Sequence, residues 1–491
     1  MFKSKFLIFL LSIITAFSSL TFSACVPSET EDAVYVVSIA QTSTDGNKTV
    51  YTVTYSNGTT TTFEVVNGVD GEKGEKGDKG NAGNNGTDGK DFNIKEVFEK
   101  YLELHPDASY EDFLQAFLTV NPDGNALTIN KALLTSAKIY TEFVKKKDGI
   151  TDTAISSGSA VIYRIDQDYT YFITNFHVVY EPDAIVGYRY AKKITCYLYG
   201  SEGWPSKAMD KDDKVIKDND GNTVYNYSGM PIECEYVGGA AMSDIAIVRV
   251  NTSVVLGINP EVKAVKFADG YHVGETAIAI GNPESEGISV SEGIVSVDNE
   301  KIKLNVDGTT REFRSIRIDT AIYHGSSGGG LYNAEGELIG ITNAGDVTDQ
   351  NINYAIPVQI VKGAVENIMY YSACGVNTVM KIKFGVTVTS KNSKYVYDKV
   401  SGYGKIIEDV TVLEVDANSI SQKMGVIMND VITAIKINGV EYKIDRYFEI
   451  GDLLYVIKAG DVIGFNVIRN GSAKTDLPTY TVLESDIKPA D

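Results

Sequence analysis

The sequence predicts a mainly β protein, and three observations carry that reading. From Ala154 to about Val361, short runs of β-branched and aromatic residues alternate with glycine-rich turns, the pattern of an all-β double barrel or sandwich. A second β-rich unit follows from Thr378 to Ser485, with one helical piece around Ser419 to Met424. Ahead of both, residues 34–66 alternate β-branched and polar types, as in Thr49-Val50-Tyr51-Thr52-Val53-Thr54-Tyr55, with turn signals at Asp45-Gly46 and Asn57-Gly58. These runs read as a small β-meander. A chain of 491 residues has room for about three such domains.

Taken in order, the elements begin with Lys3 and Lys5, an apolar run from Phe6 to Phe17, and Phe22-Ser23-Ala24-Cys25. A short positive region, an apolar core and small residues before a cleavage point predict a secretory signal over residues 1–24. The Cys after Ser-Ala resembles the lipobox of bacterial lipoproteins, which implies lipidation at Cys25 and a place on the outer face of the cell membrane. An uncleaved membrane anchor is the alternative for so long an apolar stretch. The lipidated terminus and meander then span residues 25–66.

Glycine next falls at 68, 71, 74, 77, 80, 83, 86 and 89. This Gly-X-Y spacer, residues 67–91, resembles collagen-like surface segments, since only glycine fits at the axis of a triple helix. It contains no proline, and a flexible charged spacer is the other reading. Residues 92–125 carry two helical patterns around His105-Pro106-Asp107, a small helical module in which His105 is a solvated turn residue. An amphipathic stretch through Leu134 and a strand at Ile139–Phe143 open the next domain, residues 126–370. Within it, the polar stretch 203–229 reads as an inserted loop. Its Asp218-Asn219-Asp220-Gly221 is a hairpin turn, because the bidentate Glu of a calcium loop is missing at its offset.

Beyond Cys25 only Cys196, Cys234 and Cys374 remain, too few for a disulfide framework and spaced for no zinc site. Cys196 and Cys234 both fall in strand-like runs, as a pair or as buried thiols. The net charge of -20 repels phosphate backbones, so nucleic acid is not expected as a partner. No metal or cofactor motif stands out, and none is expected.

Three stretches hold the residue types that acyl transfer needs. Gly325-Ser326-Ser327-Gly328-Gly329 sets a hydroxyl in a loop whose glycines allow successive N–H groups to face one point. The Gly325 and Ser327 amides are the candidate oxyanion donors. Of four histidines, His177 closes the strand-like Tyr171–Phe176, where a base can face a cleft. Asp244 opens the apolar run Ile245-Ala246-Ile247-Val248, where a carboxylate is costly without a partner such as imidazole.

Together, Thr174-Asn175-Phe176-His177-Val178-Val179, Ser243-Asp244-Ile245-Ala246 and Gly325-Ser326-Ser327-Gly328-Gly329 resemble the three active-site motifs of HtrA/Deg serine proteases, in the family's order. Ala279-Ile280-Gly281-Asn282-Pro283, Ser291-Glu292-Gly293-Ile294-Val295, Asp319-Thr320-Ala321-Ile322 and Asn353-Tyr354-Ala355-Ile356-Pro357 agree with the segments between and after them. Ser326, His324 and Gly330 depart from the family's Asn, Pro and Pro, and His324 falls on the site rim. The resemblance implies a chymotrypsin-like double β-barrel with His177, Asp244 and Ser327 as catalytic triad. It also implies a specificity pocket walled by Ala321 and Ile322 and faced by Asn343, Ala344 and Gly345, taking small or medium aliphatic side chains.

Residues 378–486 resemble a PDZ domain, with Phe384-Gly385-Val386 as the loop that receives a peptide carboxylate. A groove beside the Ser419–Met424 helix would then take an extended peptide by strand addition. The implied role is an extracytoplasmic endopeptidase, expected as a homotrimer, that cuts unfolded or mislocalised polypeptides. Two rivals are a non-catalytic chaperone or peptide-binding scaffold on the same fold, and an adhesin built on the N-terminal segments.

Overall fold

The computed structural model describes residues 36–66 (save 46, 47 and 56), residues 98, 99, 101–103, 105, 106 and 109, and residues 125–490 (save 346–350, 400 and 401). The signal segment, Cys25, the Gly-X-Y spacer and most of the helical module lie outside the described residues. The chain divides into two compact units, residues 1–100 and 101–491.

In the first unit β1 (Val36–Asp45), β2 (Lys48–Tyr55) and β3 (Thr60–Val66) form the expected three-stranded antiparallel meander. Asn57 makes its second turn: Gly58 stands at φ 79°, and the Asn57 Oδ1 accepts from the Thr59 N–H at 3.0 Å. At the start of the second unit residues 101–103 are helical, and His105 is exposed and directly precedes a turn at Pro106.

Helix α1 (Ala126–Leu133) leads into the first closed barrel. That barrel is built of β4 (Ser136–Lys147), β5 (Ile150–Ile165), β6 (Tyr169–Thr174), β7 (Lys193–Leu198), β10 (Ile232–Ala240) and β11 (Ile245–Asn251). The short α2 (Phe176–Val179) follows β6. Between β7 and β10 the polar insertion folds back on itself as a ladder of β8 (Pro205–Lys207) and β9 (Tyr225–Tyr227). At its tip the Asp218 carboxylate accepts the Asp220 and Asn222 N–H groups and pairs with Lys192 at 2.9 Å, closing the predicted hairpin. Cys196 on β7 and Cys234 on β10 are both buried, and both are free thiols.

After α3 (Thr252–Ile258) comes the second closed barrel. Its strands are β12 (Thr276–Gly281), β13 (Ser289–Asn305), β14 (Thr310–Ile318), β15 (Gly330–Tyr332), β16 (Leu338–Gly345) and β17 (Asn353–Pro357). The continuous apolar runs are strands buried on both faces, with successive side chains going to opposite sides. On β11, Ala246, Val248 and Val250 fill the first barrel, while Ile245 and Ile247 join Ile280 and Ile341 in the core between barrels. Helix α4 (Val358–Ser372) closes that core with Val361, Ala364, Val365 and Ile368.

The C-terminal domain is a seven-stranded sheet with a core of its own. The short β18 (Met380–Lys381) leads into it, and its elements include β19 (Val386–Tyr397), β20 (Gly404–Val415), α5 (Ile420–Lys423) and α6 (Glu449–Leu453). Ser419 caps α5, the expected helical piece, by accepting the Gln422 N–H. Asn367 of α4 ties the domain on by donating to the Met380 and Tyr455 carbonyls at 2.7 and 2.9 Å. Nearby, Arg314 of the second barrel meets Asp452 at 3.0 Å and Arg446 meets Asp298 at 2.7 Å. Both guanidinium groups lie over the Phe448 ring.

Candidate active site

The site lies where the two barrels meet. Antiparallel pairing of Ala246 with Thr174 runs the start of β11 alongside the end of β6, and so brings Asp244 to the turn that holds His177. That turn is anchored on Asp244 from several directions. The Asp244 carbonyl accepts from the Phe176 N–H at 3.1 Å and from the Asn175 Nδ2 at 2.9 Å. Its carboxylate takes the His177 N–H at 3.1 Å. Asp244 itself sits in the left-handed region at φ 51°, which aspartate tolerates better than most residues.

The Asp244 side chain is fully buried and meets His177 Nδ1 at 2.9 and 3.1 Å with its two oxygens. A carboxylate can only accept, so Nδ1 carries the proton and Nε2 is left as the acceptor. Burial pushes the imidazole pKa down. The charge of Asp244 and its hydrogen bond push it up, and the net result is a His177 raised above the ordinary histidine value.

Ser327 belongs to the second barrel, in the loop between β14 and β15. Ser327 and His177 line one cleft of about 480 Å³, together with Leu304, Asn305, Val306, Ile322, Tyr323 and His324 and with Asn343, Ala344 and Gly345. Gly325 and Gly328 hold φ of 91° and 87°, angles that favour glycine. A Cβ at Gly325 would stand 2.3 Å from the Asn282 carbonyl oxygen. Within the loop the Ser326, Gly328 and Gly329 N–H groups are spent on the Tyr323, Thr342 and Ser326 carbonyls. The Gly325 and Ser327 N–H groups find no acceptor among the described residues.

The structure therefore gathers His177, Asp244, Ser327, Gly325, Ile322, Asn343, Ala344 and Gly345 at one place. His324 is exposed on the cleft's rim, as its place in the sequence motif implies. Ala321 is the exception. It lies outside this cleft and lines a smaller neighbouring cavity with Ser326 and Thr342, because its carbonyl is turned to the Ser291 hydroxyl at 2.8 Å. Leu304, Asn305, Val306 and Tyr323 are lining residues that sequence reasoning missed. Nothing in the composition of the β13–β14 hairpin signals that its end reaches the cleft.

In the C-terminal domain Gly385 stands at φ 71°, and a Cβ there would come 2.3 Å from the Ser419 Cβ. The Phe384 and Gly385 carbonyls accept from the Ser421 and Asp416 N–H groups, so this loop is fastened to α5. Phe384 itself is buried in the core. Val386 begins β19, the edge strand of the sheet. The groove beside α5 is lined by Leu413, Val415, Gln422, Val426, Ile427 and Met428 among others, and the 384–386 loop is not part of it.

Comparison with known proteins finds similarities over part of the chain. Residues 158–341 match the family model of the trypsin-like peptidase domain. The chain is similar to the serine protease Do-like HtrB of Bacillus subtilis, 30% identical over 66% of this chain and 62% of that protein. It is also similar to the serine protease Do-like HtrA of the same organism, 26% identical over 67% of this chain and 64% of that one. The matched stretch thus spans somewhat less than two thirds of either relative. Among solved structures, an HtrA-type protease AlgW with decapeptide is similar at 22% identity, covering 75% of this chain and 99% of that one with a TM-score of 0.44.

Proposed function

We propose that the chain is a serine endopeptidase of the HtrA/Deg type, with His177, Asp244 and Ser327 as its triad. One observation carries the reading: an imidazole fixed in its Nε2-acceptor form by a buried carboxylate shares a cleft with a serine whose neighbouring N–H groups are unspent. His177 Nε2 takes the Ser327 Oγ proton as the hydroxyl attacks the scissile carbonyl. The Gly325 and Ser327 N–H groups receive the developing oxyanion. His177 then passes its proton to the leaving amine, and water repeats the sequence to release the acyl group. Asp244 holds the imidazole and stabilises its charged form.

Ile322, Leu304 and Val306 give the cleft an apolar wall, and no carboxylate stands among its described lining residues. This supports cleavage after small or medium aliphatic side chains. The free edge of β19 supports capture of extended peptides or chain ends by strand addition in a PDZ-like manner. Unfolded or mislocalised polypeptides fit both sites. Lipidation at Cys25, residence on the outer face of the cell membrane and assembly as a homotrimer complete the proposal.

The test is casein cleavage and fluorophosphonate labelling by the purified full chain beside Ser327→Ala. Cleavage and labelling that both vanish in the variant support the reading. Equal cleavage by parent and variant, or none by either with peptides added, overturns it.

A further inference from the structure

The donors of the proposed oxyanion hole are backbone groups, so their direction depends on what holds the peptide planes around them. In a planar trans peptide the carbonyl and the N–H point in opposite directions. Fixing the carbonyl of one residue therefore aims the N–H of the next. The loop from His324 to Ser327 has all four of its carbonyls fixed.

The His324 carbonyl accepts from the Glu284 N–H at 2.6 Å, which turns the Gly325 N–H the other way. The Ser326 carbonyl accepts from the Thr342 Oγ1 at 2.7 Å and from the Gly329 N–H at 2.9 Å, which turns out the Ser327 N–H. The two remaining carbonyls are both held by Ser159. Its Oγ donates to the Gly325 carbonyl at 2.8 Å, and its N–H donates to the Ser327 carbonyl at 2.7 Å.

Ser159 also reaches the brace on the other side. A hydroxyl has one proton to give and lone pairs to receive, and the Ser159 Oγ accepts from the Asn282 N–H at 2.8 Å. Asn282 starts the turn that carries Glu284. Glu284 and Ser285 both sit in the left-handed region, at φ 52° and 65°, and the Ser285 hydroxyl meets that of Ser157 at 2.6 Å. Both Ser159 and Thr342 are 1% exposed, so water does not compete for their hydroxyls.

We propose that Ser159 and Thr342 are positioning residues for the proposed hydrolysis: their hydroxyls hold the 324–327 loop with its Gly325 and Ser327 N–H groups aimed at the oxyanion. This rests on the endopeptidase reading above. Neither side chain is among the lining of the cleft that holds His177 and Ser327. Their loss therefore shows in transition-state binding and leaves ground-state binding alone.

The variants are Thr342→Val, which keeps shape and removes the hydroxyl, Thr342→Ser, which restores it, and Ser159→Ala. Each is made in the full chain, and its melting temperature is recorded. Kinetics use a peptide found cleaved in casein, with a peptide boronic acid bearing the same residue at the cut as the tetrahedral probe. Thr342→Val and Ser159→Ala are expected to lower kcat by about 10- to 100-fold with KM nearly unchanged, less than the loss of a donor itself. Boronic acid affinity falls by a similar factor, and Thr342→Ser recovers most of both.

An unchanged kcat, a loss carried by KM, or a loss that Thr342→Ser does not recover overturns the proposal. Should Ser159→Ala fail to fold, the Thr342 pair decides alone. A parent enzyme that labels and cleaves through Ser327 while Thr342→Val matches it refutes only the positioning role. A parent whose cleavage survives Ser327→Ala refutes the underlying reading, and the positioning role with it.

Discussion

Replacing Asp244 by Asn tests the proposed triad at its most buried point. The substitution keeps size and shape, and the ties from the Phe176 N–H and the Asn175 Nδ2 to the residue 244 carbonyl do not depend on the carboxylate. The fold should therefore stand. The chemistry should not. One Asp244 oxygen takes both the His177 N–H and Nδ1, at 3.1 Å each. An amide that keeps its oxygen toward the backbone N–H turns its NH₂ toward Nδ1, which then has to accept. The proton moves to Nε2, and His177 faces Ser327 with a donor where a base is needed. Loss of the correct tautomer costs about 10⁴ in kcat, or about 5 kcal/mol of barrier. The pH profile should change as well. In the parent, Asp244 holds the His177 pKa above its ordinary value against the opposing effect of burial. The base works unprotonated, so activity rises with pH through that raised value. Without the carboxylate only burial remains, and the acid limb of the residual activity moves to lower pH. The assay is kcat/KM for peptide hydrolysis across about pH 5 to 9, which reports the free enzyme, beside a thermal melt. A variant within about tenfold of the parent, or an acid limb that stays in place, refutes this account of Asp244.

Two further outcomes follow from the C-terminal domain. Gly385→Ala places a Cβ at positive φ within 2.3 Å of Ser419, so it should destabilise this domain by more than about 1 kcal/mol. Melting should then show an early C-terminal transition with the barrels' transition in place, and a single unshifted transition would contradict it. Asp452 has its pKa pushed up to about 6 by burial, against the lowering effect of Arg314 and with help from Glu449. A carboxyl held above its unfolded value stabilises the fold fully at pH below that unfolded value. The contribution is lost as pH rises through about 6. Asp452→Asn should therefore narrow the difference in melting temperature between mildly acidic and neutral pH, and an undiminished difference would count against it.

Much of the fold and the site is legible in the sequence because the relevant signals are local. Short runs rich in β-branched and aromatic residues at Tyr171–Phe176 and Ile245–Val248 announce strands, and a polar residue beside each run announces a candidate site. Glycine at 325 and 328 marks left-handed backbone by residue type alone. What stays hidden depends on partners far away in the chain. Leu304 and Asn305 end β13 and Val306 follows it, and period-two alternation names the faces of a strand and not what lies over them. The family resemblance implies a place for Ala321 in the pocket wall, yet its carbonyl accepts from Ser291 and it lines a neighbouring cavity. Ser159 reads as one serine in a Ser-Ser-Gly-Ser run, and only the approach of loops 282–287 and 324–327 gives its hydroxyl two partners.

The barrel cores do more than stabilise, because they also set the distance between the proposed catalytic groups. Asp244 and His177 come from the first barrel and Ser327 from the second, so the site exists only while the barrels keep their packing. Along β11, Ile245 and Ile247 face the core between barrels, and Ala246 and Val248 face the interior of the first. A slip of one residue in that strand would exchange the two sets. It would force isoleucines into the space left by alanine and leave voids between the barrels. The same slip would carry Asp244 past His177. Packing thus penalises the register error that the proposed chemistry cannot tolerate, although no residue of that apolar alternation is among the described lining of the cleft. Register in β11 is held by apolar burial on both faces, and the buried carboxylate at its end is positioned as a consequence.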